Sequence, residues 1–62
     1  MIPNNDIIHF IRLYKQEFDV CPTIERIADR FSVNKNAIFK RVQTLVKEGR
    51  LEKFNGKIRL IS

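Results

Sequence analysis

Residues 23–51 read TIERIADRFSVNKNAIFKRVQTLVKEGRL, and the spacing of their apolar side chains predicts two short helices joined by a tight turn. Thr23 is a good N-cap for the first of these helices, which should run from about residue 24 to residue 31. The second is expected over about residues 35–48, because Gly49 supplies the left-handed residue that commonly follows a helix.

Another helix is expected upstream, over about residues 5–18, after Asn and Asp residues that could cap it. Its apolar residues recur at helical spacing, which predicts a core-facing stripe of Ile7, Ile11, Tyr14 and Phe18. The residue before a proline is biased to extended geometry, so a short third strand, or at least an extended segment, is expected near Val20, Cys21 and Pro22.

Downstream, residues 51–61 contain two short strands around Asn55-Gly56, the dipeptide that best predicts a two-residue hairpin turn. Such a turn fixes the register. The expected pairs are Leu51 with Leu60, Glu52 with Arg59, Lys53 with Ile58, and Phe54 with Lys57. Residues 1–62 should therefore form one mainly helical α+β domain, with three helices followed by a hairpin that closes the core.

Composition excludes several classes of protein. The single Cys and single His cannot build an internal disulfide framework or a four-ligand zinc site. No membrane-spanning run and no signal peptide is recognisable, which predicts a cytoplasmic, nucleoid-associated protein. No nucleophile–base pair, glycine-rich phosphate loop or carboxylate pair occurs, so we expect no enzyme activity, catalytic residue, metal or cofactor. A chain of 62 residues leaves no room for a small-molecule effector domain.

The basic charge of the chain is concentrated in its second half. Residues 1–31 contain four basic and five acidic side chains, whereas residues 32–62 contain eight basic and two acidic ones. The net charge of +5 therefore arises from the second half alone. A basic half beside a near-neutral half indicates a surface that faces a polyanion, although a merely basic, solvated surface would have the same composition.

The stretch IADRFSVNKNAIFKRVQTLVKEGRLEKF resembles the winged helix-turn-helix pattern of bacterial and phage transcriptional regulators. In that pattern a small residue, here Ala28, allows the helices to cross closely, and Phe31 and Val33 are buried around the turn. Together with Pro22-Thr23 and the first helix, the resemblance covers nearly the whole chain. Among these regulators, the chain is similar to the DNA-binding domain of LexA-type repressors. One departure is Ser32, which stands where glycine is common and must accept the backbone strain of the turn.

The resemblance implies that the third helix reads the major groove of double-stranded DNA and that the hairpin is a wing. Asn and Gln can bond bidentately to adenine, and Lys or Arg to guanine. The expected base readers, on the helix and its flank, are Asn34, Lys35, Asn36, Lys40, Arg41, Gln43 and Thr44. The expected phosphate contacts are Lys47, Arg50, Lys53, Asn55 and Lys57. The alternative for all of them is a solvated polar surface.

The function expected is sequence-specific DNA binding by a small transcriptional regulator, such as a repressor or a phage or plasmid control protein. A winged-helix protein-interaction module and a cooperative replication or recombination accessory protein are the alternatives. Leu13, with Phe10, either forms a homodimer interface or packs under the hairpin or the C-terminus. Phe39 is expected to pack against the first helix or the hairpin, with stacking on a base as the alternative. Phe54 is expected on the outer face beside Lys57, where it either caps the edge of the core or contacts DNA or a partner.

Overall fold

The computed structural model of the chain describes residues 2–54 and 57–61. They form three helices and two strands: α1 (Asn4–Phe18), α2 (Ile24–Phe31), α3 (Lys35–Lys47), β1 (Leu51–Phe54) and β2 (Lys57–Leu60). The strands pair antiparallel after the third helix, so the layout is mainly helical and winged-helix-like. This confirms the predicted fold class, and each helix boundary lies within one residue of its predicted position.

Every element contributes apolar side chains to the core. Its fully buried members include Ile7, Ile11, Ile27, Ile38, Val42, Leu45 and Leu51, each with at most 1% of its surface exposed, and Ile58 is 4% exposed. The core therefore contains residues of the hairpin as well as of the three helices. Because burial of one such side chain contributes roughly 1.5–3 kcal/mol, the hairpin is held to the helices by its inner face.

The hairpin has the register that the sequence predicts, with Leu51 opposite Leu60 and Phe54 opposite Lys57. On the outer face, the Arg59 guanidinium donates to a carboxylate oxygen of Glu52 at 3.0 Å. Both side chains are largely exposed, so this pair adds little to stability. The turn predicted at Asn55-Gly56 lies outside the described residues.

A capping side chain starts α2, and left-handed residues end α2 and α3, where the sequence predicts. The hydroxyl of Thr23 accepts the backbone N–H of Arg26 at 3.2 Å and so caps α2. Ser32 ends α2 with φ 56°, and Gly49 ends α3 with φ 78°. After each helix a backbone N–H reaches back five residues, from Val33 to Ala28 at 3.1 Å and from Arg50 to Leu45 at 2.9 Å. Both ends are therefore Schellman motifs, and the backbone strain expected at Ser32 is confirmed.

Two predictions about α1 are wrong. Phe18 is not in the core: it is 59% exposed, because it lies in the last turn, beyond the buried Ile7 and Ile11. No side chain caps the N-terminus of α1, which begins at Asn4 with Pro3 as the N-cap residue. The Asn side chains expected there as caps accept hydrogen bonds from arginines instead.

Of the two alternatives predicted near Val20, Cys21 and Pro22, the short third strand does not form. This segment pairs with no strand in the described part of the chain, where the sheet has two strands. The backbone turns sharply at Asp19, which is left-handed with φ 62°, and Pro22 has no N–H to donate to a neighbouring strand. Pro22 is buried instead, so the segment is held by apolar packing.

Replacing Ser32 by glycine should stabilise the protein. A non-glycine residue at positive φ costs about 1–2 kcal/mol, which glycine avoids. About half to one kcal/mol of this advantage is lost because glycine has greater conformational freedom in the unfolded chain. We therefore expect Ser32→Gly to raise the free energy of unfolding by about 0.5–1 kcal/mol, measured by urea denaturation. The control is Gln16→Gly on the exposed side of α1, which should lower stability by about as much. A loss of stability at Ser32→Gly would contradict the assignment of strain to this residue.

Candidate nucleic-acid interface

Buried residues fix the rotation of α3 and so determine which of its side chains face outward. Ile38, Val42 and Leu45 lie on its inner side with at most 1% exposure. The helical repeat places a polar row opposite them, and all four of its members are exposed: Asn36, Lys40, Gln43 and Lys47. Within residues 2–54 and 57–61, these four side chains make no hydrogen bond or ion pair to other groups. The row therefore presents unused amide and ammonium groups to the surroundings.

The residues at the start of α3 have different roles. Asn34 is the N-cap, since its Oδ1 accepts the backbone N–H of Asn36 at 2.9 Å. A bidentate contact with adenine uses both the oxygen and the nitrogen of the amide. Asn36 has both free for such a contact, whereas Asn34 has only its nitrogen free while it caps the helix. Lys35 is exposed in the first turn, as the prediction requires.

Thr44 lies beside the polar row but uses its hydroxyl within the helix. Its Oγ1 donates to the backbone carbonyl of Lys40 at 3.2 Å. The hydroxyl proton is thus engaged, and an oxygen lone pair and the methyl group remain for an external contact.

Two of the arginines expected to contact DNA donate hydrogen bonds to the start of α1. Arg41 Nη1 donates to the backbone carbonyl of Ile2 at 2.8 Å and to Oδ1 of Asn4 at 3.1 Å, and the group is partly buried. Arg50 Nη2 donates to Oδ1 of Asn5 at 3.2 Å. These bonds join residues 37 to 45 positions apart in the chain, so no local pattern in the sequence could predict them. Their evident role is to fasten the N-terminus of α1 to α3 and to the residue that follows it.

Lys53 connects the hairpin to α3. Its Nζ lies 4.3 Å from the centroid of the Phe39 ring, a cation–π contact. Phe39 is 36% exposed, and the contact with Lys53 places it against the hairpin, one of the two positions that the sequence allowed for it. An open cleft of about 340 Å³ lies beside this contact, lined by Gln43, Val46, Lys47 and Lys53. Lys53 therefore places a positive charge next to the polar row of α3.

The outer part of the hairpin is exposed. Phe54 is 69% exposed opposite Lys57, which is also exposed. Phe54 thus lies on the outer face beside Lys57, as the sequence predicts, and of its two expected roles capping of the core edge is not observed. Asn55, an expected phosphate contact, lies outside the described residues.

Together these side chains form what we define as the α3–wing surface: Asn36, Lys40, Gln43, Lys47, Lys53 and Lys57. It contains four ammonium groups and no carboxylate. The one ion pair among the described residues, Glu52 with Arg59, leaves all four of them unpaired. Such a surface can donate hydrogen bonds, accept them through two amides, and attract a polyanion.

Other kinds of site find no support in residues 2–54 and 57–61. No three His, Cys, Asp or Glu side chains lie close enough together there to hold a metal ion. No helix among these residues has the length and apolar character needed to cross a bilayer.

Removing the Arg41 side chain should lower the free energy of unfolding more than removing the side chain of the neighbouring Lys40. Arg41→Ala breaks two hydrogen bonds of a partly buried charged group, so we expect it to lower the free energy of unfolding by about 1–2 kcal/mol. Lys40→Ala, the matched control one residue earlier, removes an exposed side chain and should change stability by less than about 0.5 kcal/mol. Urea denaturation of both variants measures the difference, and equal losses would show that Arg41 does not fasten α1.

Comparison with known proteins gives no relative for this chain: no family model, no curated protein and no solved structure matches it. Its function has to be inferred from the geometry and charge of its own residues.

Proposed function

We propose that the protein binds double-stranded DNA sequence-specifically, as a small transcriptional regulator, with α3 in the major groove and the hairpin against the phosphates. The observation that carries this proposal is the α3–wing surface. Its amide and ammonium groups are exposed and make no hydrogen bond or ion pair among the described residues, and the buried apolar stripe of α3 fixes the orientation of the four that lie on that helix. The alternative is that the polar row of α3 is only a solvated face. Such a face would have no need of a further positive charge from the hairpin, which Lys53 places beside it.

The dimensions of α3 suit this role. An α-helix with its side chains is about 10–12 Å across, and the major groove of DNA is about 12 Å wide. The 13 residues of α3 make a rod about 20 Å long, so its first turns can reach base edges while its end remains near a phosphate strand.

Within the surface, the side chains divide by the chemistry that each offers. Asn36, Lys40 and Gln43 lie along the first three turns of α3, and they carry the amides and the amine that recognise adenine and guanine. Lys47, Lys53 and Lys57 lie at the end of α3 and on the hairpin, where an ammonium group can neutralise a phosphate without reading sequence. We propose the first set as base readers and the second as phosphate contacts.

Binding to duplex DNA should depend steeply on salt. Each neutralised phosphate contributes about −0.9 to the slope of log affinity against log salt concentration, so three to five contacts give about −3 to −4.5. Between about 50 and 200 mM salt the affinity should fall on the order of a hundredfold. Fluorescence anisotropy with labelled duplexes measures this slope. Absence of binding at the lowest salt concentration would reject the proposal.

The two sets of residues should respond differently to substitution. After a preferred site has been selected from random duplexes, Asn36→Ala and Lys40→Ala should weaken that site by about 1–3 kcal/mol and leave scrambled DNA little affected. Lys57→Ala should weaken both alike and reduce the salt slope by about 1. Lys15→Ala, which removes the same charge from α1, is the control and should preserve the preference. Equal losses on both duplexes for every variant would contradict the division into readers and phosphate contacts.

A footprint on long DNA distinguishes a regulator from a cooperative accessory protein. A regulator protects one compact site, whereas a cooperative coating protein extends its protected region as its concentration rises. A footprint that extends with concentration would support the proposed DNA binding but would contradict the regulatory role, in favour of a cooperative accessory protein.

A further inference from the structure

A row of aromatic side chains lies along α1, on a surface formed by α1 and α2. Phe10, Tyr14 and Phe18 follow one another at intervals of one helical turn, with ring centroids 5.8 Å and 4.5 Å apart. Phe10 also meets Phe31 of α2 edge-on at 5.9 Å, so the inner end of the row is anchored in the core. The row forms the apolar side of an open cleft of about 590 Å³ between the two helices, with Arg26, Asp29 and Arg30 of α2 on the other side.

This row becomes more exposed toward the end of α1. Phe10 and Tyr14 are half-buried, whereas Phe18 is 59% exposed. Leu13, on the outer side of the same helix, is 50% exposed, and the C-terminal Ser62 lies outside the described residues. Single exposed apolar residues are normal on a protein surface, but a continuous aromatic row beside an exposed leucine is typical of a surface that another molecule covers.

The charges at the edges of the cleft indicate which molecule that is. On the α2 side, Arg26 and Arg30 are exposed, and Asp29 leaves this edge net positive. On the α1 side, the exposed Glu17 lies one turn beyond Leu13. One edge is therefore basic and the other acidic. A surface with these two edges is complementary to a copy of itself.

The distribution of charge over the whole chain supports the same occupant. Residues 1–31, which form α1 and α2, have five acidic and four basic side chains, whereas the second half has eight basic and two acidic ones. Two copies that approached through their α3–wing surfaces would repel each other, but two that approach through the cleft would not.

We propose that this cleft is the contact between two copies of the chain, related by a two-fold axis that runs along the cleft. That axis places the aromatic row of each copy against the α2 side of the other copy's cleft, and Glu17 of each copy opposite Arg26 and Arg30 of the other. It leaves both α3–wing surfaces uncovered. The interface extends the one expected at Phe10 and Leu13, since Phe10 forms its floor, Leu13 its edge and Phe18 its most exposed apolar group. It does not depend on the proposed DNA binding.

The size of the chain limits the strength of this contact. A stable interface buries about 800 Å² on each partner, which is about a sixth of the 4617 Å² surface of this protein. The cleft and its two edges are a fraction of two short helices, so the dimer is expected to be weak and to dissociate on dilution.

Sedimentation of the whole chain from low micromolar to millimolar concentration tests the proposal. We expect the measured molecular mass to rise from that of one copy to that of two. Phe18→Ser should weaken association about tenfold or more, as loss of a central aromatic does. Because Phe18 is exposed, this variant should keep its fold, which thermal unfolding monitors. Phe54→Ser is the matched control, since Phe54 is 69% exposed on the hairpin and should not alter association.

A charge exchange tests the acidic and basic edges directly. Glu17→Lys and Arg26→Glu should each weaken the dimer, and the double variant should restore it. Both changes suit their helices, because a cation is favoured in the last turn of α1 and an anion in the first turn of α2. A monomer at every concentration, an equal effect of Phe54→Ser, or failure of the double variant to recover would overturn the proposal. DNA binding, measured separately, would be unaffected by that outcome.

Discussion

The burial of one side of α3 is the constraint on which the rest of the structure depends. Ile38, Val42 and Leu45 are removed from water by residues of α1, α2 and both strands. Because a helix has only one rotation that buries such a stripe, the same contacts decide which polar residues face outward. Stability and the candidate interface therefore have a common origin. Any change that rotates α3 would disturb the core and redirect Asn36, Lys40 and Gln43 together.

The cations of the second half of the chain serve two different purposes. Arg41 and Arg50 use their guanidinium groups on the N-terminal segment, where a planar group with several donors can hold a carbonyl and Asn side chains. Lys40, Lys47 and Lys57 remain exposed and unpaired within the described residues. The division follows the chemistry of the two residue types, since lysine bears a strongly hydrated point charge that is easily left in water. The guanidinium N–H donors available to a partner are therefore fewer than the composition suggests.

The molecule has two surfaces of opposite character. The α3–wing surface is basic, polar and nearly free of aromatic rings apart from Phe39 and Phe54. The cleft between α1 and α2 is aromatic and has charges of both signs at its edges. A chain with both can pair through one surface and meet a polyanion through the other.

Local patterns in the sequence determined the secondary structure of this protein and the pairing of its hairpin. Apolar spacing, Thr23, Gly49 and the two-residue loop each act within a few positions, so the three helices, their ends and the strand register could be predicted. Only the tertiary structure decided that Phe18 is exposed, that residues 20–22 form no strand, and that Arg41 and Arg50 hold the start of α1. Each of these outcomes depends on how a part of the chain packs against, pairs with or hydrogen-bonds to an element that is distant in the sequence. Residues separated by tens of positions meet only after the core has formed, and no local pattern records that meeting.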